Sequence, residues 1–322
     1  MILVTGATGF IGKNFILEYI KKSQIKILAR PSSNIDFYRN IPLVQISYGD
    51  FVTGNGLENA LDGVETVIHC AGLTMSKNFH EFYCANTLST ANLIQAMKKT
   101  GVQKILFLSS QSAGGPSSSK NGVDVNVLSK PVSFYGLSKK MAEDVIINSG
   151  LRHIILRPCA VYGPYETEIL KFIKLLKKGL CITVGNFQKY LNLIYIKDLV
   201  MLMQMVIEKD FFHNKIYYIS DGNCYSFNYI VKIIQGCLRK ERCIRIKVPE
   251  SIAFMFGILN DILFPRQMRL IGYDKVKEMS KDYWVCSSSD ICRDIGWSPR
   301  YELKAGMEET VRWYEENGYL GS

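Results

Sequence analysis

The stretch Val4-Thr5-Gly6-Ala7-Thr8-Gly9-Phe10-Ile11-Gly12 follows a short apolar run and leads into a segment, 10–22, with the periodicity of a helix. Its glycines leave no side chains where the backbone turns sharply, so an anionic diphosphate can come close to the chain. The first turn of the helix that follows presents free backbone N–H groups and the positive end of a dipole. A strand, a glycine-rich turn and a helix in this order predict a dinucleotide-binding site.

The rest of the chain repeats this alternation of short apolar runs and helix-like segments. Such alternation is typical of β-α-β units and of a parallel sheet that is covered on both faces. Strands are predicted at 2–4, 25–29, 43–46, 66–69, 105–109, 154–156, 192–196 and 216–219, and helices at 10–22, 87–99, 135–148, 168–178 and 198–208. We therefore predict an α/β fold with a Rossmann-type doubly wound parallel sheet and a ligand beyond the carboxyl ends of its strands.

The pattern loosens after Arg157-Pro158, and short helices and loops dominate from 226 onward. We expect residues 1–165, with 192–220 returning to them, to form an NAD(P)-binding Rossmann domain. Residues 166–191 and 221–322 are expected to form a smaller, interleaved C-terminal α/β substrate domain, of a size usual for domains.

Composition and charge narrow the classes of partner. The 322 residues are 48% hydrophobic, which excludes a disordered chain, and they carry a net charge of +10 from 39 basic and 29 acidic residues. The lysines form scattered pairs without a basic stripe, so we expect no nucleic-acid partner. The four histidines are isolated and no two of the nine cysteines have C-x-x-C spacing. This pattern predicts no metal site and no disulfide framework, and is typical of a cytoplasmic protein.

The most apolar stretch later in the chain is 252–264. It is too short to cross a bilayer and contains Asn260 and Asp261, so we expect no stable membrane insertion. We interpret this stretch as an amphipathic helix of the core, with a peripheral membrane contact as the alternative.

The string T-G-A-T-G-F-I-G at 5–12 resembles the cofactor motif of the extended short-chain dehydrogenase/reductase family, in its NAD-dependent epimerase/dehydratase group. Members of that group include sugar-nucleotide epimerases and dehydratases, dihydroflavonol reductases and 3β-hydroxysteroid dehydrogenases. The resemblance implies an enzyme that binds NAD(P). It also implies that the cofactor is held by Gly6, Thr8, Gly9, Phe10, Ile11 and Gly12.

The end of the second strand bears on the choice between NAD and NADP. NAD sites usually place an acidic residue there for the ribose 2′-hydroxyl, whereas an Arg nearby accommodates a 2′-phosphate. Here the strand ends Leu28-Ala29-Arg30-Pro31-Ser32-Ser33, with Arg30 at the critical position. We expect NAD(P) with a lean to NADP, and a solvated surface Arg30 is the alternative.

Further motifs extend the resemblance along the chain. Gly49-Asp50-Phe51 resembles the segment that holds the adenine, and His69-Cys70-Ala71-Gly72 resembles the strand end that lines the pyrophosphate and ribose. Asn86 resembles the Asn that buttresses the active-site region, and its place at a predicted helix start is also typical of an N-cap. Leu156-Arg157-Pro158 and the following Val161-Tyr162-Gly163-Pro164 resemble the motif that closes over the nicotinamide. The cofactor contacts implied beyond the glycine turn and Arg30 are Asp50, Phe51, Cys70, Ala71, Gly72, Asn86, Ser109, Tyr135, Lys139, Pro158 and Val161.

Tyr135 and Lys139 form a Y-x-x-x-K motif on one face of a predicted helix. Oxidation of an alcohol needs a base for the hydroxyl proton, and a phenol with its ordinary pKa near 10 is a poor base at neutral pH. Lowering the pKa to about 7 takes about 4 kcal/mol, and one ammonium about 4 Å away supplies stabilisation of that size. The sequence therefore predicts that Lys139 lowers the pKa of Tyr135.

A serine is expected to complete this catalytic group. The resemblance and the position after the fifth strand favour Ser110 as the hydroxyl that orients the substrate oxygen, with Ser112 as the alternative. Side chains of the other serines in this loop are expected to bond the loop itself.

The substrate class stays open between two enzyme functions. Leu191 stands where sugar-nucleotide epimerases have a diphosphate-binding Arg, although Arg266, Arg269 and Arg300 are candidates to replace it. The overall layout favours hydride transfer on a sugar-nucleotide-like hydroxyl or carbonyl. Leu191, Arg30 and the apolar stretch favour an NADPH-dependent reductase of an apolar flavonoid-, steroid- or isoprenoid-like carbonyl. A non-catalytic dinucleotide sensor or scaffold is the third function, and the resemblance implies a homodimer.

Overall fold

The structure, a computed structural model, describes residues 1–264 and 271–321. Its central sheet is formed by β1 (Ile2–Thr5), β2 (Ile25–Ala29), β3 (Val44–Tyr48), β4 (Thr66–His69), β5 (Lys104–Leu108), β6 (Arg152–Pro158) and β11 (Lys215–Ile219). The strands are all parallel, in the order β3-β2-β1-β4-β5-β6-β11. The chain leaves β1 in one direction and returns at β4 to build the other half, so the topological switch point lies between β1 and β4. The predicted Rossmann-type fold is confirmed.

Helices cover both faces of this sheet. Their bounds are α1 Phe10–Tyr19, α2 Asp36–Arg39, α3 Leu57–Leu61, α4 Phe79–Phe82, α5 Ser89–Thr100, α6 Gln111–Gly114, α7 Phe134–Ile147, α8 Glu168–Lys177, α9 Ile196–Glu208, α10 Phe227–Cys237, α11 Glu250–Leu263, α12 Tyr273–Met279, α13 Ser289–Ile295 and α14 Leu303–Glu316. Successive strand side chains point to opposite faces, so Val4 joins the apolar cluster under α1 and α9, while Leu3 joins the cluster under α3, α5 and α7.

Among the residues that the structure describes, three small sheets lie outside the central one. They are made by β7 (Ala160–Tyr162) with β10 (Leu193–Tyr195), by β8 (Leu180–Val184) with β13 (Ile244–Val248), and by β9 (Tyr190–Leu191) between β12 (Tyr225–Ser226) and β14 (Tyr283–Trp284). The chain thus leaves the central sheet after β6 and returns to it at β11. The division into two domains at the bounds given above stays a prediction.

The apolar stretch 252–264 is a helix, α11, but it is not a helix of the core. Only Ala253, Gly257, Asn260 and Asp261 of α11 are buried. The large apolar side chains that we call the outer face of α11 are all exposed: Ile252, Met255, Phe256, Ile258, Leu259, Ile262 and Leu263. Helical periodicity predicts that two faces differ, but here the small and amide side chains pack inward and the large apolar ones point outward. In the described ranges, no helix is both long and apolar enough to cross a membrane.

Candidate active site

The glycine turn after β1 has the geometry expected of a phosphate site. Gly6 has φ +72°, and a Cβ there would lie 2.6 Å from the backbone N of Ala71, so no larger residue fits. The N–H of Gly9 donates to the carbonyl of Gly6 (3.0 Å) and closes the turn. Gly9 is the N-cap of α1 and brings no capping side chain. Because the first N–H groups of a helix have no intrahelical acceptor, the start of α1 fits an anionic diphosphate.

The residues predicted to hold a cofactor gather around this turn. Thr8 and Gly9 are exposed, Phe10 and Ile11 are half-buried in the first turn of α1, and Gly12 packs against the carbonyl of Gly6. The Tyr38 hydroxyl donates to the carbonyl of Ala7 (2.6 Å), which holds the turn from the side of α2. The other predicted residues follow the carboxyl ends of neighbouring strands: Arg30 after β2, Asp50 and Phe51 after β3, Cys70, Ala71 and Gly72 after β4, Ser109 and Ser110 after β5, and Pro158 and Val161 at the end of β6 and in β7.

Two of these side chains already have partners within the protein. Oδ1 of Asp50 accepts the N–H groups of Val52 and Thr53, both at 2.8 Å. The Thr53 N–H is the main cause that holds the pKa of this carboxyl below its usual value, and exposed Arg30 adds a smaller effect of the same sign. Ser109 is buried, and its hydroxyl donates to Oε1 of Glu143 (2.5 Å). Its side chain therefore belongs to a structural network.

That network is a buried ion pair. Arg157 in β6 donates to both carboxylate oxygens of Glu143 in α7, at 2.9 and 2.6 Å, and both side chains are almost fully buried. Arg157 also donates to the Tyr218 hydroxyl (3.0 Å) and to the Ser129 hydroxyl (2.9 Å). A buried guanidinium needs such complete pairing, so the Arg of the L-R-P motif fixes α7 against the sheet.

A relay of hydrogen bonds through His69 links the glycine turn to Asn86. The Thr90 hydroxyl donates to the carbonyl of Asn86 (2.6 Å), so it accepts from Nε2 of His69 (3.0 Å). Nδ1 of His69 therefore accepts from the Thr5 hydroxyl (2.7 Å), whose oxygen accepts the N–H of Ala71 (3.2 Å). Burial lowers the pKa of His69 to about 3, so the ring is neutral and keeps this tautomer.

Asn86 lies inside a π-helical segment, Tyr83–Leu88, and is not an N-cap, so that interpretation was wrong. Asn78 caps the helix start instead, by accepting the N–H of Glu81 (3.0 Å). The buried Asn86 amide accepts the N–H of Leu73 (2.7 Å) and donates to the Leu73 carbonyl (3.0 Å) and the Ser138 hydroxyl (2.8 Å). Asn86 thus joins the loop after β4 to α7, which is a buttressing position. π-Helical segments are often found at functional sites.

Tyr135 and Lys139 lie on α7, beside the carboxyl end of β5. The ammonium of buried Lys139 donates to the carbonyl of Leu108 (2.7 Å) and lies 4.0 Å above the centre of the Phe107 ring. Burial lowers the pKa of Lys139 to about 8, partly offset by Glu143. A Cβ on Gly72 would lie 3.8 Å from Nζ of Lys139, so this ammonium faces the predicted nicotinamide side of the site.

The pKa of Tyr135 moves in the direction opposite to the sequence prediction. Burial raises it to about 12, whereas the Ser110 hydroxyl, which is hydrogen-bonded to the phenol, lowers it. The charges that act on the phenol are those of Glu278, which raises the pKa, and of Lys275, which lowers it. The predicted lowering by Lys139 to about 7 is therefore wrong for this state of the protein, because burial outweighs the groups that favour the phenolate.

The two candidate serines have different partners. Ser110 is hydrogen-bonded to Tyr135 and also accepts the N–H of Ser112 (3.1 Å) as the N-cap of α6. The Ser112 side chain is hydrogen-bonded to Glu278. The structure thus brings Ser110, and not Ser112, to the phenol.

Sequence reasoning missed three residues of α12 that lie against the start of α7. Asp274 accepts the N–H groups of Phe134 (2.6 Å) and Tyr135 (3.0 Å). Glu278 accepts from the Ser133 hydroxyl (2.9 Å) and pairs with Lys275 (3.0 Å). Thr74, Met75, Ser76, Phe82 and Gly272 complete, with Tyr135 and these three residues, the lining of a small pocket of about 10 Å³. Acidic residues near a helix start are the one local signal, and nothing in the sequence links 274 to 135.

Arg300, one of the cations expected to replace the epimerase Arg, does not line this pocket. Leu191 packs between β12 and β14 at the edge of the core. Arg300 is exposed, and its backbone N–H donates to Asp198 (2.9 Å). Arg266 and Arg269 lie outside the described residues. All nine cysteines are free thiols, and among the residues described no three His, Cys, Asp or Glu side chains are grouped to hold a metal ion.

Comparisons with known proteins agree with this architecture. The model of the NAD dependent epimerase/dehydratase family matches residues 2–220. UDP-glucose 4-epimerase of Vibrio cholerae is 25% identical and covers 97% of this chain and 94% of its own. Ceramide reductase of Caulobacter vibrioides is 25% identical, with 99% and 96% covered. The crystal structure of dTDP-glucose 4,6-dehydratase from Bacillus anthracis in complex with NAD superposes with a TM-score of 0.81 at 21% identity, over 99% of this chain and 97% of that one.

Proposed function

Since the chain belongs to the NAD-dependent epimerase/dehydratase family and is an enzyme of that family, we propose that it transfers hydride between NAD(P) and a hydroxyl or carbonyl group of a sugar-nucleotide-like substrate. The observation that carries the proposal is the placement of Tyr135, Ser110 and Lys139 beside the glycine turn, at the carboxyl edge of one sheet. UDP-glucose 4-epimerase of Vibrio cholerae, similar over nearly the whole chain, supports the sugar-nucleotide substrate.

The chemistry divides between the cofactor and the protein. The nicotinamide, when bound, accepts or returns the hydride. Tyr135 exchanges a proton with the substrate oxygen, and the Ser110 hydroxyl, hydrogen-bonded to this phenol, orients that oxygen. Lys139 keeps a positive charge at the wall of the site, and Asn86 holds the loop and the helix between which the substrate enters. With a pKa of about 12, the phenol carries its proton at neutral pH and is ready to donate it to a carbonyl.

The cofactor is proposed to rest on the start of α1, with its adenosine toward Asp50 and Phe51 and its nicotinamide toward Lys139. Arg30 is exposed at the end of β2, which is the usual position of a residue that meets a ribose 2′-phosphate. We therefore propose NAD(P) with a preference for NADP, although the similar dehydratase of Bacillus anthracis was crystallised with NAD. Tighter binding of NADPH than NADH, lost in Arg30→Ala, is the expected result, and a preference for NADH would reject it.

A specific observation favours a second function, reduction of the carbonyl group of an apolar substrate by NADPH. Leu191 contributes no charge at the position where the resemblance puts a diphosphate-binding Arg, and Arg300 does not line the pocket at Tyr135. Ceramide reductase of Caulobacter vibrioides, as similar as the epimerase, supports this alternative. A homodimer, a cytoplasmic location and the two-domain division are proposed with either function.

A turnover screen tests the proposal. Purified protein is incubated with nucleotide-sugars and with apolar ketones, and both nicotinamide absorbance and products are followed. Tyr135→Phe should lower turnover by about 10²–10⁴-fold and leave dinucleotide binding nearly unchanged. Tyr48→Phe, which removes an exposed phenol, is the matched control. Unchanged turnover in Tyr135→Phe would contradict the mechanism, and stoichiometric cofactor oxidation would select the reductase over the epimerase.

A further inference from the structure

The outer face of α11 is apolar and covers a little less than half of the circumference of the helix. At about 100° per residue, its seven side chains cover an arc of about 160°. Each of them is 45–69% exposed. A helix at a protein surface normally turns its polar side chains to water, and a contiguous apolar patch of this kind marks a surface that meets a partner.

The inner face holds α11 in this orientation. A Cβ on Gly257 would lie 2.9 Å from the backbone of Tyr273, so α11 and α12 are in close contact there. Asn260 donates to the carbonyl of Ile271 (2.8 Å), and Asp261 accepts the N–H of Tyr273 (2.8 Å). The polar side chains of α11 therefore anchor the helix to the protein, and the apolar ones are held outward.

A basic segment leads directly into α11. Between 232 and 247 the chain has six cationic residues and one acidic residue, a net charge of +5 out of +10 for the whole protein. Five of the six follow α10 within ten residues, and all six are exposed: Lys232, Arg239, Lys240, Arg242, Arg245 and Lys247. In β13, exposed Ile244 and Ile246 alternate with the last two of these cations.

Charge decides between the partners that such a face can have. A second copy of the chain would bring a second segment of net charge +5 to the contact, and like charges would oppose the association. An anionic lipid surface offers acyl chains to the apolar side chains and phosphates to the cations. The 14 residues of α11 span about 21 Å, less than the about 30 Å of a bilayer core, so the helix can lie in the interface and not cross it.

We propose that the outer face of α11 docks the protein on an anionic phospholipid bilayer. The helix lies in the plane of the membrane, with Met255 and Leu259 at the centre of the contact, Ile262 beside them, and the basic segment against the headgroup phosphates. The pocket at Tyr135 is lined by Gly272 and Lys275, from the segment that the inner face of α11 anchors. This inference goes beyond the proposed function.

Vesicle co-sedimentation of the full chain tests the docking. Vesicles of phosphatidylcholine alone are compared with vesicles that also contain phosphatidylglycerol, and only the latter should bind the protein strongly. Raising the salt from about 0.1 M to 1 M shortens the screening length from about 10 Å to 3 Å and should release most of the protein. The double variant Leu259→Ser/Ile262→Ser should lower the partition coefficient by about tenfold or more.

A matched control uses Val127→Ser/Leu128→Ser, which removes two exposed apolar side chains far along the chain from α11 and should bind like wild type. Circular dichroism and dinucleotide binding check that each variant is folded. Binding that fails on anionic vesicles, or that survives in the α11 variant, would overturn the proposal. A wild-type dimer in sedimentation velocity that is lost in the α11 variant would also overturn the proposal, because the outer face of α11 would then contact a second copy of the chain. Since no substrate is used, either result leaves the proposed function to its own test.

Discussion

The ionisation of Tyr135 gives the sharpest test of the site. Replacing Tyr135 by Phe in the cofactor-free protein removes one phenol, whose pKa is raised to about 12. At pH 9 about one molecule in a thousand then carries a phenolate, whereas a pKa near 7 would ionise about 99%. The raised pKa means that the protein disfavours the phenolate by about 3 kcal/mol, and burial is the main cause.

The assay is the tyrosinate absorbance of wild type minus that of Tyr135→Phe, followed from pH 7 to pH 10. The same two proteins in denaturant, where the phenols are ordinary, calibrate the signal of one tyrosine. We expect no difference band below pH 10. Glu278→Gln should lower the pKa of Tyr135, because it removes the nearby negative charge and leaves Lys275 unpaired. Lys275→Met should raise it.

One full tyrosinate in the difference spectrum below pH 9 would refute this reasoning. It would show that Lys139 stabilises the phenolate even while it bonds the Leu108 carbonyl. A tyrosinate signal that appears below pH 9 in wild type and vanishes in Lys139→Met would identify that lysine as the cause. The variant Lys140→Met, next in sequence and paired with Asp144, controls for the loss of a charge on α7.

Three further results are expected. Folding lowers the pKa of His69 from 6.5 to about 3, so between these pH values His69 takes up a proton only when the chain unfolds. The contribution of His69 to the free energy of unfolding is therefore complete above pH 6.5 and is lost as the pH falls below it. Between pH 7 and pH 5 wild type should lose about 2 kcal/mol more unfolding free energy than His69→Gln, measured in urea; equal losses would contradict the buried neutral ring. Asp274→Ala should lower the free energy of unfolding in urea by about 2 kcal/mol, because the N–H groups of Phe134 and Tyr135 lose their acceptor. Asp36→Ala, which removes an exposed carboxylate, is the control. Lys139→Met should abolish most turnover, and Lys140→Met should not; similar rates in the two variants would argue against a role for Lys139.

The central sheet could be predicted because its signals are local. The strand at 66–69 was predicted at its observed bounds. The apolar runs of the central sheet and the glycine turn each need only a few neighbouring residues to be recognised. Outside this sheet, the predicted strand 192–196 ends one residue late, because Ile196 begins α9. The Y-x-x-x-K motif likewise places Tyr135 and Lys139 correctly on one helix, because four residues are about one turn.

The electrostatics of the site could not be predicted in the same way. Lys275 and Glu278 reach the phenol across the fold, and the pKa of Tyr135 depends on them and on burial. The orientation of α11 was also beyond the sequence, because a periodic pattern does not say which of two faces meets the protein. The buried relay through His69 could not be predicted either, because Thr5, His69 and Thr90 are distant from one another in sequence.

The start of α7 is completed by a carboxylate that lies 139 and 140 positions further along the chain. A ribosome that has made the whole central sheet has therefore not yet made Asp274, which accepts the first two N–H groups of this helix. The nascent chain can assemble its dinucleotide cradle early, but the phenol acquires its final surroundings only when α12 has been translated. The complete environment of Tyr135 is thus available only late in synthesis, after the central sheet that supports it.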